Sequence, residues 1–363
     1  MAGEFRHHIL KPAACWGTIA LVCLNCLYFF SSSFFRTRFY HFFITNHILS
    51  ASLLLPAIVL HKRSCTPWVL AALIIYILDL LLRAMKTRIT TARIRALPQL
   101  GLTRVEIPEI NAGWRAGQHV RLRVVSRGMG LLGWSEIHPF TIASCAQTPE
   151  GMVLMCKKAG DWTEKLYNLA NRLSSSSIED GQGQGTVRVM VEGPYGGTGH
   201  RMFSSFSAAV FVVGGSGITF ALSSIQEMIN ADNAGNSRVK VIELIWVVRD
   251  PSALLPLLPI LISFVRSSAF APLRISVFYT RASIGKFPFP EEFFKKASVG
   301  RMIGPDAHAL ASEKDRDGLC GLVIGVCGPV QLADGVFEAV GKVDGTRRDL
   351  VGGIEVHEET FGY

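Results

Sequence analysis

Two patterns of hydrophobic and polar positions divide the chain. Residues 13–35, 39–60 and 66–82 carry almost no charge, whereas from Lys86 onward apolar and polar residues mix as in an ordinary globular protein. A helix rises about 1.5 Å per residue, so a run of about 20 apolar residues crosses the hydrocarbon core of a bilayer. The first two runs reach that length and the third is at the short limit. This predicts a helical domain over 1–85 with spans at 13–35, 39–61 and 66–83. The first run is too long for a cleaved signal peptide, and another follows at once. Further on, short runs at 88–97, 102–107, 119–125, 140–144, 152–157 and 186–192 are separated by turn residues, which predicts an antiparallel barrel over 86–200. From 205 to 363 the pattern changes again. Apolar strands at 208–213, 240–247, 273–279 and 321–326 alternate with helical stretches and predict a parallel α/β sheet covered on both faces. Residues 252–265 are apolar but short and broken by prolines, so they read as a buried or lid helix. Residues 281–319 read as a surface insertion.

Composition supports this partition, since only 18% of the residues are charged although the net charge is +9. Arg83, Lys86, Arg88, Arg93 and Arg95 follow the third run, which predicts that this end and everything after it face the cytoplasm. His61-Lys62-Arg63 falls on the other side and argues against that orientation. The basic residues are scattered or juxtamembrane, and no basic helix or aromatic-basic motif points to nucleic acid. Attraction to lipid headgroups is the simpler reading of the charge. The eight cysteines form no ligand array. Cys23 and Cys26 lie inside a span and read as packing residues, while Cys145, Cys156, Cys320 and Cys327 are expected as reduced cytosolic thiols.

In the second span, His47 and His61 are 14 positions apart. At about 100° per residue they return to within roughly 40° of one direction, separated by about 21 Å. Two imidazoles on one face at opposite depths suit axial ligands of two stacked haems. The same pair also fits a packing histidine plus one marking the membrane boundary, and spacing alone does not choose. No second helix in the chain carries a matching pair, because His7 and His8 precede the first span. Each haem site would therefore lack its other half here, which suggests an incomplete membrane domain.

His138-Pro139-Phe140-Thr141-Ile142-Ala143-Ser144 offers hydroxyls beside a rigid Pro139. Such a strand can line a flavin edge, although by composition alone it is an ordinary surface strand. Val213 to Thr219 ends an apolar strand in glycines and begins a helix, where backbone amides and the helix's positive end can receive a pyrophosphate. Cys327-Gly328-Pro329 closes another strand at the carboxyl edge of the same sheet.

Taken together these strings resemble the ferric reductase and NADPH oxidase superfamily, and its fungal-type ferric reductases in particular. His138 to Ser144 resembles the FAD-binding signature, and Gly117-Gln118-His119-Val120 the barrel motif before it. Gly160 to Leu166 resembles the Gly-x-x-Thr-x-x-Leu segment, and Gly193-Pro194-Tyr195-Gly196 the following turn. Gly214, Gly215, Ser216, Gly217, Ile218 and Thr219 match the nucleotide loop, and Cys327-Gly328-Pro329 the nicotinamide-side motif. His357 to Tyr363 resembles the C-terminus. The resemblance implies a ferredoxin-reductase-like pair of domains that passes electrons from NADPH through FAD, and through two b-type haems in a complete chain, to ferric chelates. It implies a multi-pass protein of a bilayer, expected in the plasma membrane. His138, Pro139, Phe140, Thr141, Ile142, Ser144 and Gly193 are expected at FAD, and Gly214 to Thr219, Arg249, Cys327, Gly328 and Pro329 at the dinucleotide. Arg281 is a second candidate for the 2′-phosphate. Cys327, Phe361 and Tyr363 are expected at the reacting rings, and His47 and His61 at haem. Two alternatives share these motifs: a superoxide-generating NADPH oxidase, and a truncated non-catalytic homologue that assembles with a full-length subunit supplying haem ligands.

Overall fold

A computed structural model describes residues 12–130, 133, 135–179, 185–199, 202–268, 270–280 and 319–359. It divides into two compact units, one up to Met85 and one from Lys86.

The first unit holds α1 (Pro12–Phe30), the short α2 (Ser33–Arg38), α3 (Tyr40–His61) and α4 (Thr66–Met85). Three helical stretches, Pro12–Phe30, Tyr40–His61 and Arg63–Met85, are long and apolar enough to cross a membrane. The first is shorter than the expected 13–35. Serines at 31–33 offer side-chain hydrogen bonds that compete with the helix. Ser32 takes an extended conformation there, and α2 starts afresh. Phe30 of α1 then meets Phe42 of α3 edge-on, with ring centroids 5.2 Å apart. Asn46 of α3 donates to the Cys26 carbonyl (3.3 Å), and Cys23 is buried. α4 buries none of its side chains.

The second unit contains two sheets. β1 (Thr87–Leu97), β2 (Leu102–Ile107), β3 (Gln118–Val125), β4 (His138–Thr141), β5 (Met152–Lys157) and β6 (Gly185–Gly196) form an antiparallel sheet in the order β4-β3-β6-β1-β2-β5. A single bridge from Ile142 to Leu154 joins its two edges and nearly closes it. Alternation points Ile94, Val105, Leu122, Leu154 and Val189 inward, where α5 (Asp161–Glu179) adds Trp162, Leu166 and Ala170 to the same core. β4 leaves its ladder at Thr141, short of the expected 144. Ser144 instead donates to the Gly151 carbonyl (2.9 Å) and accepts from Val153 N–H (3.0 Å), tying the chain across the barrel.

The second sheet is parallel, in the order β11-β10-β7-β8-β9. Its strands are β7 (Ala208–Gly214), β8 (Val241–Val248), β9 (Leu273–Tyr279), β10 (Leu322–Cys327) and β11 (Ile354–Glu359). α6 (Ile218–Asn233) packs Phe220, Leu222 and Ile225 onto Phe211 and Trp246, all buried. The apolar stretch after β8 forms a turn, Pro251–Leu254, and then α7 (Leu258–Ser267), which buries Leu261 and Phe264. α8 (Val330–Gly341) and α9 (Gly345–Leu350) lead into β11. The stretch 281–319 lies almost wholly outside the described residues.

Candidate functional site

Alternation along β4 turns Pro139 and Thr141 one way and His138 and Phe140 the other. The register sets His119 opposite Thr141 and Arg121 opposite Pro139 on β3, with Tyr195 of β6 opposite His119. These residues make a shelf at the open edge of the barrel. Behind it Glu192, 6% exposed, accepts from the Tyr195 hydroxyl (2.9 Å) and from Arg121 Nη1 (3.3 Å). The Arg121 guanidinium lies 5.3 Å from the Tyr195 ring centroid, a cation–π contact. Gly193 reaches φ +134° where a side chain would crowd Tyr195 and Val120, so only glycine turns the chain there without strain.

His138 and Phe140 pack on Trp162 at ring distances of 4.4 and 5.9 Å. His138 also meets Glu136 at 3.3 Å. Ile142 is wholly buried in the barrel core. The hydroxyl of Ser144 is committed to the backbone, as described above. Of the seven-residue string, Thr141 and Pro139 thus stand on the shelf, and the others support it. Thr163, in the string 160–166, accepts from the amides of Ala159 and Gly160, both at 3.0 Å, and so caps the start of α5.

The second wall comes from the parallel sheet. β7 has β8 on one side and β10 on the other, so the strand order reverses between β7 and β10. Ligands of open α/β sheets bind outside the carboxyl ends at such a switch point. Both glycine-bearing loops emerge there. A Cβ on Gly217 would stand 2.2 Å from the Cys327 carbonyl oxygen, and one on Gly328 would stand 3.1 Å from Gly214 N. Trp246 Nε1 pins the loop from beneath by donating to the Gly215 carbonyl (3.0 Å). Ile218 and Thr219 are buried at the start of α6, and Thr219 donates to the Ser216 carbonyl (3.1 Å). They anchor the helix whose positive end faces the crevice.

Cys327 is fully buried, and burial followed by the nearby Glu359 carboxylate pushes its thiol up, so it stays protonated. Glu359 lies opposite Cys327 in the β10–β11 register. The same carboxylate acts on His119, whose pKa is lowered by burial, raised by Glu359 and lowered by Arg121. Glu359 ends β11 with its carboxylate 3.2 Å from His357 Nε2. The sequence pattern assigns no strand to 354–359 and no role to Glu359. Phe361, Tyr363 and Arg281 lie outside the described residues.

Arg249 follows β8 and is exposed. Asp250 beside it accepts from Ser252 N–H (2.7 Å), and hydrogen bonds from the Ser252 side chain and then its amide hold the carboxyl below the usual range. Asp250 is thus engaged in capping a turn. Further along α6, Glu227 accepts from Ala116 N–H (2.6 Å) and Gln226 from Cys145 N–H (3.2 Å). One helix thereby begins at the nucleotide loop and grips both barrel segments that flank the shelf. A cavity of about 90 Å³ beside this grip, lined by Arg115, Ser224 and Glu227, is too small for a dinucleotide.

Residues 87–199 match an FAD-binding domain family, and residues 206–285 match the ferric reductase NAD binding domain. The chain belongs to the ferric reductase and NADPH oxidase superfamily. Ferric reduction oxidase 2 of Arabidopsis thaliana is 30% identical over 75% of this chain and 38% of its own length. Ferric reductase transmembrane component 4 of Saccharomyces cerevisiae is 30% identical over 58% of this chain and 28% of its own. Dual oxidase 2 of Sus scrofa is 29% identical over 64% and 15%. The chain thus spans well under half the length of the curated relatives it matches.

Ferric reductases resembling this chain suggested haem ligands at His47 and His61, and the helical unit allows a test of fit. His61 Nδ1 lies 2.7 Å from the Ala13 carbonyl, and His47 Nδ1 lies 3.1 Å from Ser31 Oγ. Ala13 of α1 and Ser31, just after that helix, hold the two rings by the same nitrogen, and both histidines are exposed residues. A histidine bound to metal through Nε2 is held in this way by its other nitrogen. The two side chains fit one half of each ligand set. Among the described residues, no group of three or more His, Cys, Asp or Glu side chains could hold a metal ion.

Proposed function

We propose that this chain takes electrons from NADPH into FAD at the crevice between its two sheets and passes them toward a ferric chelate across a bilayer. The observation that carries the reading is the interlock of the Gly214–Gly217 and Cys327–Pro329 loops at the switch point, with α6 tied through Glu227 and Gln226 to the barrel segments that flank the His119–Thr141 shelf. In this reading residues 1–85 form the membrane domain, 86–200 the flavin domain and 205–363 the nucleotide domain. The last two lie on the cytoplasmic side of the plasma membrane.

FAD, when bound, accepts a hydride and returns electrons singly. The chain's own task is then positioning. Thr141 and His119 meet the ring system on the shelf, with His138 and Phe140 bracing the strand against Trp162. Gly215 to Gly217 and the start of α6 receive the dinucleotide pyrophosphate. Gly328 and Pro329 let the nicotinamide approach, with Cys327 buried beneath it. Arg249 pairs with the 2′-phosphate in a two-pronged contact. Phe361 or Tyr363 would cover the flavin face. His47 and His61 would each offer one imidazole nitrogen to a haem, with the remaining ligands coming from a homologous subunit.

The deciding experiment is steady-state reduction by the full chain, reconstituted with FAD. NADPH is expected over NADH, with Arg249→Ala lowering kcat/KM for NADPH about tenfold and that for NADH little. Equal losses would remove Arg249 as the phosphate reader, and a wild-type preference for NADH would overturn the cofactor assignment. A second reading, a superoxide-generating oxidase, draws on the similarity to dual oxidase 2. It predicts superoxide output exceeding ferric-chelate reduction.

A further inference from the structure

The outer barrel face formed by β3, β6 and β1 has a composition that the electron-transfer site does not use. Along β1, Thr90, Ala92 and Ile94 point inward, while Ile89, Thr91, Arg93 and Arg95 point outward. The register places Met190 opposite Ile89 and Arg188 opposite Thr91. On β3, Arg123 stands opposite Met190 and Val125 opposite Arg188. Three aliphatic side chains are thus interspersed with Arg93, Arg123 and Arg188. Ile89 is 59% exposed and Val125 41%.

The acids near this face are already engaged. Glu106 pairs with Arg104 at 2.7 Å and Glu192 with Arg121 at 3.3 Å, while Glu109 accepts from Thr91 at 3.3 Å and from Thr90. Among the described residues, Arg93, Arg95, Arg123 and Arg188 form no ion pair. Glu106 stands opposite Arg93, but Arg95 faces Arg104 and neither Arg123 nor Arg188 meets an acid across the strands, so the pattern gains little within the fold. It does suit a surface of phosphates over an apolar layer. A guanidinium takes phosphate oxygens two at a time, and short aliphatic side chains reach the acyl boundary between headgroups. The chain itself supplies continuity, because Ile89 comes four residues after Met85, the last residue of α4.

We propose that this face docks on the anionic headgroup layer of the bilayer that α1, α3 and α4 cross. The proposal rests on the membrane reading above. The full chain is placed in nanodiscs of neutral phosphatidylcholine and in nanodiscs that also contain phosphatidylserine. Exposed arginines are then modified with phenylglyoxal and the rates read peptide by peptide. Arg266 and Arg347, exposed elsewhere in the unit, serve as references. Arg93, Arg123 and Arg188 are expected to react about fivefold more slowly in the anionic discs, the occupancy change that one basic side chain gains at an anionic surface. High salt should remove the protection. Rates that match the references in both lipids overturn the docking. So does equal protection in detergent micelles, or protection that appears only when a full-length homologue is added, since protein would then cover the face. A chain that fails to enter nanodiscs overturns the membrane reading, and the docking with it.

Discussion

On α3, two imidazoles of exposed residues each commit one nitrogen to the segment that runs from Ala13 to Ser31. At the crevice, by contrast, two loops interlock so closely that a single methyl group on Gly217 would meet the Cys327 carbonyl at 2.2 Å. The first arrangement constrains its side chains from one direction only, and the second from both. A ligand at the crevice would meet walls that already define its position. A metal at the helical face would meet one ligand and an open side. The contrast teaches that the residue types suited to a cofactor are not yet a site. Enclosure by a second element makes the difference.

The largest effect that could break this comparison is spectroscopic. The full chain, expressed in haem-replete membranes, is expected to show no low-spin b-type absorption bands, because among the described residues of the helical unit the one other histidine, His41, lies on α3 itself. Bands that disappear in both His47→Ala and His61→Ala would refute this and point to self-association closing the open side.

The crevice is tested by filling it. Gly217→Ala puts a methyl group against backbone that cannot rotate away, and overpacking of this kind costs about 1–3 kcal/mol. The kcat/KM for the nucleotide should fall by tenfold or more while FAD remains bound, judged by the visible spectrum. A variant with wild-type kinetics would mean that the two loops part easily and that the interlock does not shape the site.

A smaller effect is expected where α6 grips the barrel. Glu227→Ala removes the acceptor for Ala116 N–H, and because Glu227 is exposed, water replaces much of the bond. A loss of about 1 kcal/mol is expected, read as a lowered midpoint of thermal unfolding. Hydride transfer should slow more than FAD affinity weakens, because the grip aligns the two sheets. An unchanged Tm together with unchanged transfer would leave the contact without a role.

These cases also indicate how far the sequence could be read. The barrel strands are legible because alternation requires only one buried face. Residues 88–97, for instance, differ from the alternating β1 by one residue, whereas 152–157 coincides with β5 as a continuous apolar run. β11 is harder to read, because it lies at the sheet edge beside β10 and its alternation, with exposed Glu355 and Glu358, looks like that of a polar tail. Its role in carrying Glu359 to the crevice comes from pairing with a strand distant in sequence. The break after Phe30 is local and could have been read from the serines that follow it. The division of labour within the His138 to Ser144 string could not. Sequence places the seven residues together, but the pleat and the early end of β4 decide that Thr141 faces the shelf, His138 faces Trp162, and Ser144 ties down the barrel.

The smallest expected effect separates the shelf from its support by pH. His119 is held below the ordinary histidine value of 6.5 by burial and by Arg121, with Glu359 opposing, and His138 is held below it by burial, with Glu136 opposing. Between each lowered folded value and 6.5, the unfolded chain binds a proton that the folded chain refuses. The contribution of each neutral ring to stability is therefore complete above about pH 6.5 and is lost progressively as pH falls through that window toward the folded value. The unfolding midpoint should decline on mild acidification, above the range where carboxylates titrate. In His119→Gln the decline should be shallower, and in the His119→Gln/His138→Gln double variant shallower again. Because the two rings occupy opposite faces of the β3–β4 pair, one on the shelf and one against Trp162, added FAD should alter the pH slope of His138→Gln, which retains the shelf histidine, more than that of His119→Gln. Equal changes in the two variants would mean that the cofactor contacts both faces of the strand, and the distinction between shelf and support would fail.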